Sequence, residues 1–232
     1  MESIGIELKH GLCNRLRCLF GWYHYARSHL ASLVVYWIPD SECPGFFLDY
    51  FEPLPETSIR SEKKDNPLPF LVYTGGQWHP DFNPKTIFIY RDLRLLPHTR
   101  EAIDQVWKRI GGSKENVIAI HVRRTDHKSL AQRHHLYSED EDFFAFVDRY
   151  PDKKVYLATD NPQTQQRFLH QYGSERILWN IEIVSQPVLR KTSVQDAIID
   201  LYIAVEAHDF MGSGYSSFTD TIHQLRRASA TL

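Results

Sequence analysis

Short apolar runs alternate with helix-length amphipathic stretches along most of this chain, the pattern of a parallel α/β sheet with crossover helices. Ile4–Leu8 reads as a short strand, with a turn at Lys9-His10-Gly11. Asn14 then opens a helix from about Arg15 to Ser28, in which Leu16, Leu19, Phe20 and Tyr23 track one face. Ser32–Ile38 is a second strand, ended by Pro39. Positions 39–69 mix prolines, acids and aromatics without a period and are expected to be irregular. Phe70–Tyr73 and Thr86–Tyr90 are further strand candidates.

Leu96-Pro97 begins a helix that runs to about Ile110, where Gly111-Gly112 closes it. The domain boundary is placed there: an N-terminal lobe over 1–112, on the acceptor side, and a C-terminal Rossmann-like lobe over 113–232. Beyond the boundary the alternation becomes regular. A strand at 117–123 is followed by a loop. A helix at 139–149 comes next, with Ser138 as N-cap and Glu141 completing a capping box. Lys154–Thr159 is a strand, 162–172 a helix with Pro162 in its first turn, and Arg176–Leu178 a strand. Helix Val194–Ala207, strand Asp209–Met211, a Gly-Ser-Gly turn and a helix from about Ser217 to Ser229 complete the series. Crossovers of this length imply parallel strands.

Composition narrows the function. The chain has 232 residues, 24% charged and 42% hydrophobic, an ordinary globular mix, and a net charge of −2. No global basic field draws it to nucleic acid, and no apolar run approaches the roughly 20 residues of a membrane span. The N-terminus lacks the basic start and apolar core of a signal peptide. Its three cysteines, Cys13, Cys18 and Cys43, suit a reducing compartment, so a cytoplasmic protein is expected. No Cys/His grouping has zinc-site spacing, and the adjacent His134 and His135 point apart on any regular element, so no metal is expected.

Three strand-to-helix junctions carry candidate chemistry. The run Val117–Asp126 is a strand buried on both faces that stops in His121, Arg123, Arg124 and Asp126. The carboxyl end of such a strand is where ligands bind in an open α/β sheet, and guanidinium groups suit phosphate there. An ordinary surface turn neutralised by Asp126 is the alternative. At Met211–Phe218, two glycines lead into a helix whose N-terminus favours an anion, with Ser216 and Ser217 as caps or hydroxyl donors. At Gly11–Arg17, Gly11 allows close approach, Asn14 offers a cap or amide, and Arg15 adds charge; a plainly capped helix accounts for this segment equally. Together the three fit a nucleotide diphosphate held by one lobe, with the other lobe facing it.

The sequence H-V-R-R-T-D at 121–126 resembles the H-x-R-R-x-D signature of the core α1,6-fucosyltransferases and their bacterial nodulation relatives. Tyr156–Asn161 resembles their downstream A-T-D segment. Asp200 and the Gly212–Phe218 turn resemble the third motif block, which runs into S-S-F in protein O-fucosyltransferases. Gly11–Leu16 is similar to the G-x-x-N-R/Q-x loop of the wider superfamily. The resemblance implies a compact GT-B-type fold, two Rossmann-like lobes with parallel sheets facing across a cleft. It also implies metal-independent, inverting transfer of fucose from GDP-β-L-fucose to a glycan or glycoprotein acceptor, with no cofactor. On it, Arg123 binds the β-phosphate beside Arg124, and His121, Asp160 and Asp200 contact the nucleoside. Ser216, Ser217 and Phe218 line the pyrophosphate, and Gly11, Asn14 and Arg15 close over it.

The chain departs from that pattern. Ala131 stands where the core enzymes carry a catalytic glutamate, and His127 intervenes before Lys128. Asp126, His127 and Glu139 are therefore the candidates for the base. A non-catalytic nucleotide- or glycan-binding module on the same fold, or a transferase using another nucleotide sugar, is the alternative function. The aromatics Tyr36, Trp37, Phe46, Phe47, Tyr50, Phe51, Tyr73 and Trp78 either stack on acceptor sugars or pack a core.

Overall fold

Each half of the chain is organised by a four-stranded sheet in which every strand pairing is parallel. The computed structural model describes residues 3–63, 71–73, 79, 89–125, 128–184 and 192–230. Two units are resolved, Met1–Arg100 with Gln224–Leu232, and Glu101–His223. The sequence reading draws its line at 112; the observed division falls within the helix before it.

In the first unit, β1 (Ser3–Glu7), β2 (Ser32–Tyr36), β3 (Thr57–Arg60) and β4 (Leu71–Tyr73) lie in the order β3-β2-β1-β4. Helix α1 (Leu12–Ser28) follows β1 and buries Leu16, Leu19, Phe20 and Tyr23. It begins at Leu12 with Gly11 as N-cap, so Asn14 lies inside the first turn rather than capping it. The left-handed backbone position of this junction is His10, with φ 70°, and not Gly11. Of the eight aromatics considered for an acceptor site, Tyr36, Trp37, Phe47 and Phe51 are buried core, and Trp78 lies outside the described residues. The strand expected at 86–90 also lies mostly outside them. Strand β3 arises within the stretch read as irregular; it is a short edge strand, paired only with β2.

The second unit is built on β5 (Val117–Val122), β6 (Lys154–Thr159), β7 (Ile177–Leu178) and β8 (Phe210–Gly212), in the order β7-β6-β5-β8. Helix α2 (Pro97–Arg109) precedes β5, and α3 (Lys128–Arg133), α4 (Asp140–Asp148), α5 (Pro162–Tyr172), α6 (Val194–Glu206) and α7 (Ser217–Ala230) follow in turn. Every residue of β5 is buried, as a central strand covered on both faces requires. Ile118, Ile120 and Val122 pack with Val155, Leu157, Phe143, Phe146, Val147 and Phe168, the core beneath α4 and α5. Side chains alternate along a strand, so Ala119 and His121 point to the opposite face. There His121 meets α7, and Tyr156 of β6 meets α6.

The α4 cap is shifted by one residue from expectation. Glu139 is the N-cap, and its N–H donates to Asp142 at 2.8 Å. Helix α3 falls where a loop was expected. All three cysteines are buried, and none forms a disulfide among the described residues. Among the described residues no helix is long and apolar enough to cross a membrane, and no group of three or more His, Cys, Asp or Glu could hold a metal ion.

Candidate functional site

Parallel pairing in register brings the carboxyl ends of β5, β6 and β8 side by side. His121 is the pairing partner of Ala158 on one side and of Gly212 on the other. The segments leaving these three strands are stitched together. Ser213 N–H donates to the His121 carbonyl at 2.8 Å, and Arg123 N–H donates to Ser213 Oγ at 2.9 Å. Asp160 receives the Arg124 N–H at 2.9 Å and the Thr125 hydroxyl at 2.5 Å, and its other neighbour is Arg123 Nε at 4.0 Å. The result is a ledge on which Arg123, a quarter exposed, presents its guanidinium between two strand ends.

The β8–α7 turn forms the second side of this ledge. Gly212 is needed for close packing: a Cβ there would lie 2.4 Å from Thr219 Oγ1. Thr219 in turn hydrogen-bonds His121 Nδ1 at 3.0 Å, and the Phe218 ring lies 4.6 Å from the imidazole. Gly214 leaves room for the Leu136 carbonyl oxygen, which a Cβ would approach to 2.2 Å. Tyr215 adopts φ 55° and stacks on His134 at 4.4 Å. Ser216 then occupies the N-cap position of α7, its carbonyl accepting the Asp220 N–H at 2.9 Å. Its hydroxyl is buried and has no hydrogen-bond partner among the described residues. A buried, unsatisfied hydroxyl at the start of a helix, whose first N–H groups have no intrahelical acceptor, suits a bound anion.

The structure thus brings His121, Arg123, Asp160, Ser216, Ser217 and Phe218 to one edge of one sheet. Four other candidates are placed differently. Arg124 leaves the same strand end, but its guanidinium turns away to Asp140 at 2.6 Å and lies over the Tyr137 ring at 5.0 Å. Asp200 sits on α6, where the Tyr156 hydroxyl donates to it at 2.6 Å. That partner belongs to the middle of β6, back from the strand ends. Burial pushes the Asp200 carboxyl up to about 7, against the opposing effect of the Tyr156 hydrogen bond. In the first unit Arg15 is fully buried. It donates to the His10 carbonyl at 2.7 Å, to the Ile38 carbonyl at 2.7 Å and to Asp40 at 2.6 Å, so it braces the loop rather than offering charge. Asn14 accepts from Arg17 at 2.7 Å. Asp126 and His127 lie outside the described residues.

Ser213 and Thr219 were not singled out from the sequence. Ser213, between two glycines just past a strand, carries a local hint, but its bond to Arg123 depends on β8 lying beside β5. Asp140 and Arg167 were likewise missed; they form an ion pair that shares the Asp140 carboxylate with Arg124.

No family model matches the chain. Solved structures do. The NodZ α-1,6-fucosyltransferase soaked with GDP-fucose superposes with TM-score 0.66 at 16% identity, over 97% of this chain and 93% of that one. The fucosyltransferase NodZ from Bradyrhizobium gives 0.63 at 18%, covering 96% and 92%. POFUT1 in complex with GDP-fucose gives 0.63 at 14%, covering 97% and 94%. With matches along nearly the whole length of both chains, this protein has the fold of the GT-B fucosyltransferases.

Proposed function

We propose that the chain is a fucosyltransferase that moves L-fucose from GDP-β-L-fucose to a glycan or protein hydroxyl, inverting the anomeric carbon and using no metal. The observation that carries this reading is the bond of the Arg123 N–H to Ser213 in the β8–α7 turn, which leads to the α7 N-terminus, where among the described residues the Ser216 hydroxyl is buried without a partner. Charge develops there as the bond from the sugar carbon to the β-phosphate oxygen breaks. A fixed guanidinium and a helix N-terminus stabilise it without reorganising. GDP leaves with the bonding electrons, the acceptor oxygen bonds to the opposite face of the sugar carbon, and its proton passes to a base. Asp126 and His127 are the proposed catalytic partners of Arg123 in that step. His121, held by Thr219 and Phe218, would face the nucleoside with Asp160; Gly11 and Asn14 are proposed as further donor-binding residues.

Titration calorimetry with GDP, UDP and ADP tests the donor; equal affinities sink the fucose reading. Arg123→Ala should weaken GDP by about tenfold or more, as expected for a charge-assisted contact, and abolish turnover of GDP-fucose. A second reading, a binding module without catalysis, is favoured by Ala131, which is buried on α3 and supplies no carboxylate. Hydrolysis of GDP-fucose in the absence of any acceptor separates the two, since a pure binder shows none.

A further inference from the structure

We propose that an open pocket beside the strand-end ledge is a saccharide subsite that takes an uncharged, hydroxyl-rich ring of the acceptor. The inference rests on the transferase reading above. The pocket has a volume of about 410 Å³ and is built from the second unit alone. That size falls within the roughly 300–1,000 Å³ of small-molecule sites. Arg124, Tyr137, Glu141, Asn161, Gln163 and Arg167 line it, and Asp140 lies between the two arginines.

Position is the first argument. Arg124 follows Arg123, and Asn161 follows Asp160, so the pocket wall continues the ledge by single residue steps of about 3.8 Å. Asp160 itself fixes the ledge by accepting the N–H of Arg124. A sugar ring in this pocket would lie alongside the proposed pyrophosphate site.

Charge is the second. Two arginines face three carboxylates, Glu139, Asp140 and Glu141. Arg124, 12% exposed, is held by Asp140 and by the Arg123 carbonyl; Arg167 is more exposed and spends one N–H on the same carboxylate, so the lining as a whole keeps one more negative than positive group. The two helix N-termini at the pocket are also closed to anions. Asn161 Oδ1 takes the Thr164 N–H at 2.8 Å, and the first turn of α4 carries Asp140, Glu141 and Asp142. An acidic, cap-satisfied pocket repels a nucleotide or a sialylated glycan.

The third argument is the set of groups left over. Glu141 and Gln163 line the pocket, and no hydrogen bond or ion pair of their side chains is found among the described residues. Asn161 uses its side-chain oxygen as a cap, which leaves its amide N–H groups to donate. A carboxylate that accepts and amides that do both match the hydroxyl groups of a neutral sugar.

The test uses the full chain and a Glu141→Ala/Gln163→Ala variant, whose changes fall on exposed positions. Both are assayed with GDP-fucose on an array of neutral glycans, sialylated glycans and serine- or threonine-containing peptides, and KM and kcat are then measured in solution on the best acceptor. We expect the wild type to fucosylate neutral glycans. Losing two ligand hydrogen bonds, one to a charged group, should raise the acceptor KM about tenfold or more, with kcat within about twofold. GDP affinity by calorimetry should not change. A wild-type KM in the variant overturns the subsite, as does a preference for sialylated glycans or for peptides. Hydrolysis of GDP-fucose by the wild type with no transfer to any acceptor overturns the subsite and leaves the donor reading standing. Failure to bind GDP removes the donor reading itself, and calorimetry detects that without any acceptor.

Discussion

Replacing Gly212 by alanine probes whether the β8–α7 turn holds the site by contact. The backbone at Gly212 is not in the left-handed region, so a side chain there faces no conformational penalty of its own. What it meets is Thr219: Oγ1 at 2.4 Å and Cγ2 at 2.6 Å, with Phe210 Cζ at 2.8 Å. Relieving these contacts means moving the first turn of α7 or rotating Thr219. Overpacking of this kind costs about 1–3 kcal/mol. Rotating Thr219 also breaks its bond to the buried His121 and leaves the imidazole nitrogen without a partner, a further cost of about 1–3 kcal/mol. The sum, about 2–5 kcal/mol, is a large part of the stability of an ordinary domain. Urea unfolding of the single variants and of Gly212→Ala/Thr219→Ala completes a cycle. Thr219→Ala removes the two closest of the three clashing atoms and leaves Phe210 Cζ, so the double variant should be more stable than the additive sum by at least about 1 kcal/mol. Additive costs, or a Gly212→Ala cost below about 0.5 kcal/mol, would refute the contact argument.

The remaining predictions address the anion cradle, a titrating group and a second glycine. Ser216→Ala removes a buried hydroxyl that has no protein partner, so unfolding stability should stay within about 0.5 kcal/mol of wild type while GDP binds several-fold more weakly; a stability loss with unchanged GDP affinity would make Ser216 merely structural. The Asp200 carboxyl, raised from 3.8 to about 7, binds more protons folded than unfolded, so its stabilising contribution is full below pH 3.8 and is lost as pH rises through 7. Asp200→Asn should therefore gain stability on the wild type between pH 5 and pH 8, by at most about 1.4 kcal/mol per pH unit, and a pH-independent difference would contradict the assignment. Gly214→Ala pushes a Cβ to 2.2 Å from the Leu136 carbonyl oxygen, a backbone atom that cannot swing aside. Amide exchange should quicken across 128–137 in that variant, and wild-type protection there would show that the turn and the α3 segment are not braced together.

The legible parts of this fold are those set by residues close in sequence. Strands β5 and β6 announce themselves by the apolar runs Val117–Ile120 and Val155–Ala158, which are buried throughout. Helix α5 was bounded correctly by Pro162 and the Gly173 that follows it. What escaped depends on distant partners. Strand β3 has four residues, none fully buried, and becomes a strand only by pairing with β2. Helix α3 has six residues, too few to show a period. Arg15 looked like a ligand because it follows a Gly-x-x-Asn turn. Its acceptors at Ile38 and Asp40 lie 23 and 25 residues away, and they decide its role. The same holds for Arg124: the aromatic and acidic groups that capture it come from the next helix and the loop before it. Two adjacent arginines therefore take different partners, Arg123 beside Asp160 and Arg124 on Asp140, and no property of the dipeptide says which is which.

That division bears on how an acceptor would be activated. Ala131 is 1% exposed, and its carbonyl accepts the N–H of Leu136, so α3 turns this position inward. A carboxylate at 131 would be buried here rather than presented to a substrate. The same segment is then fixed from outside, by Leu136 against Gly214 and by His134 against Tyr215. On the proposed reaction, Arg123 and the α7 N-terminus draw charge onto the departing diphosphate, so the sugar–oxygen bond can break ahead of bond formation to the acceptor. The acceptor hydroxyl then becomes acidic only as it bonds to the electron-poor carbon, and a base of modest strength suffices. A site arranged in this way places its strongest demand on the leaving-group side. That is where Arg123, the buried Ser216 hydroxyl and the tightly packed Gly212 and Gly214 are found.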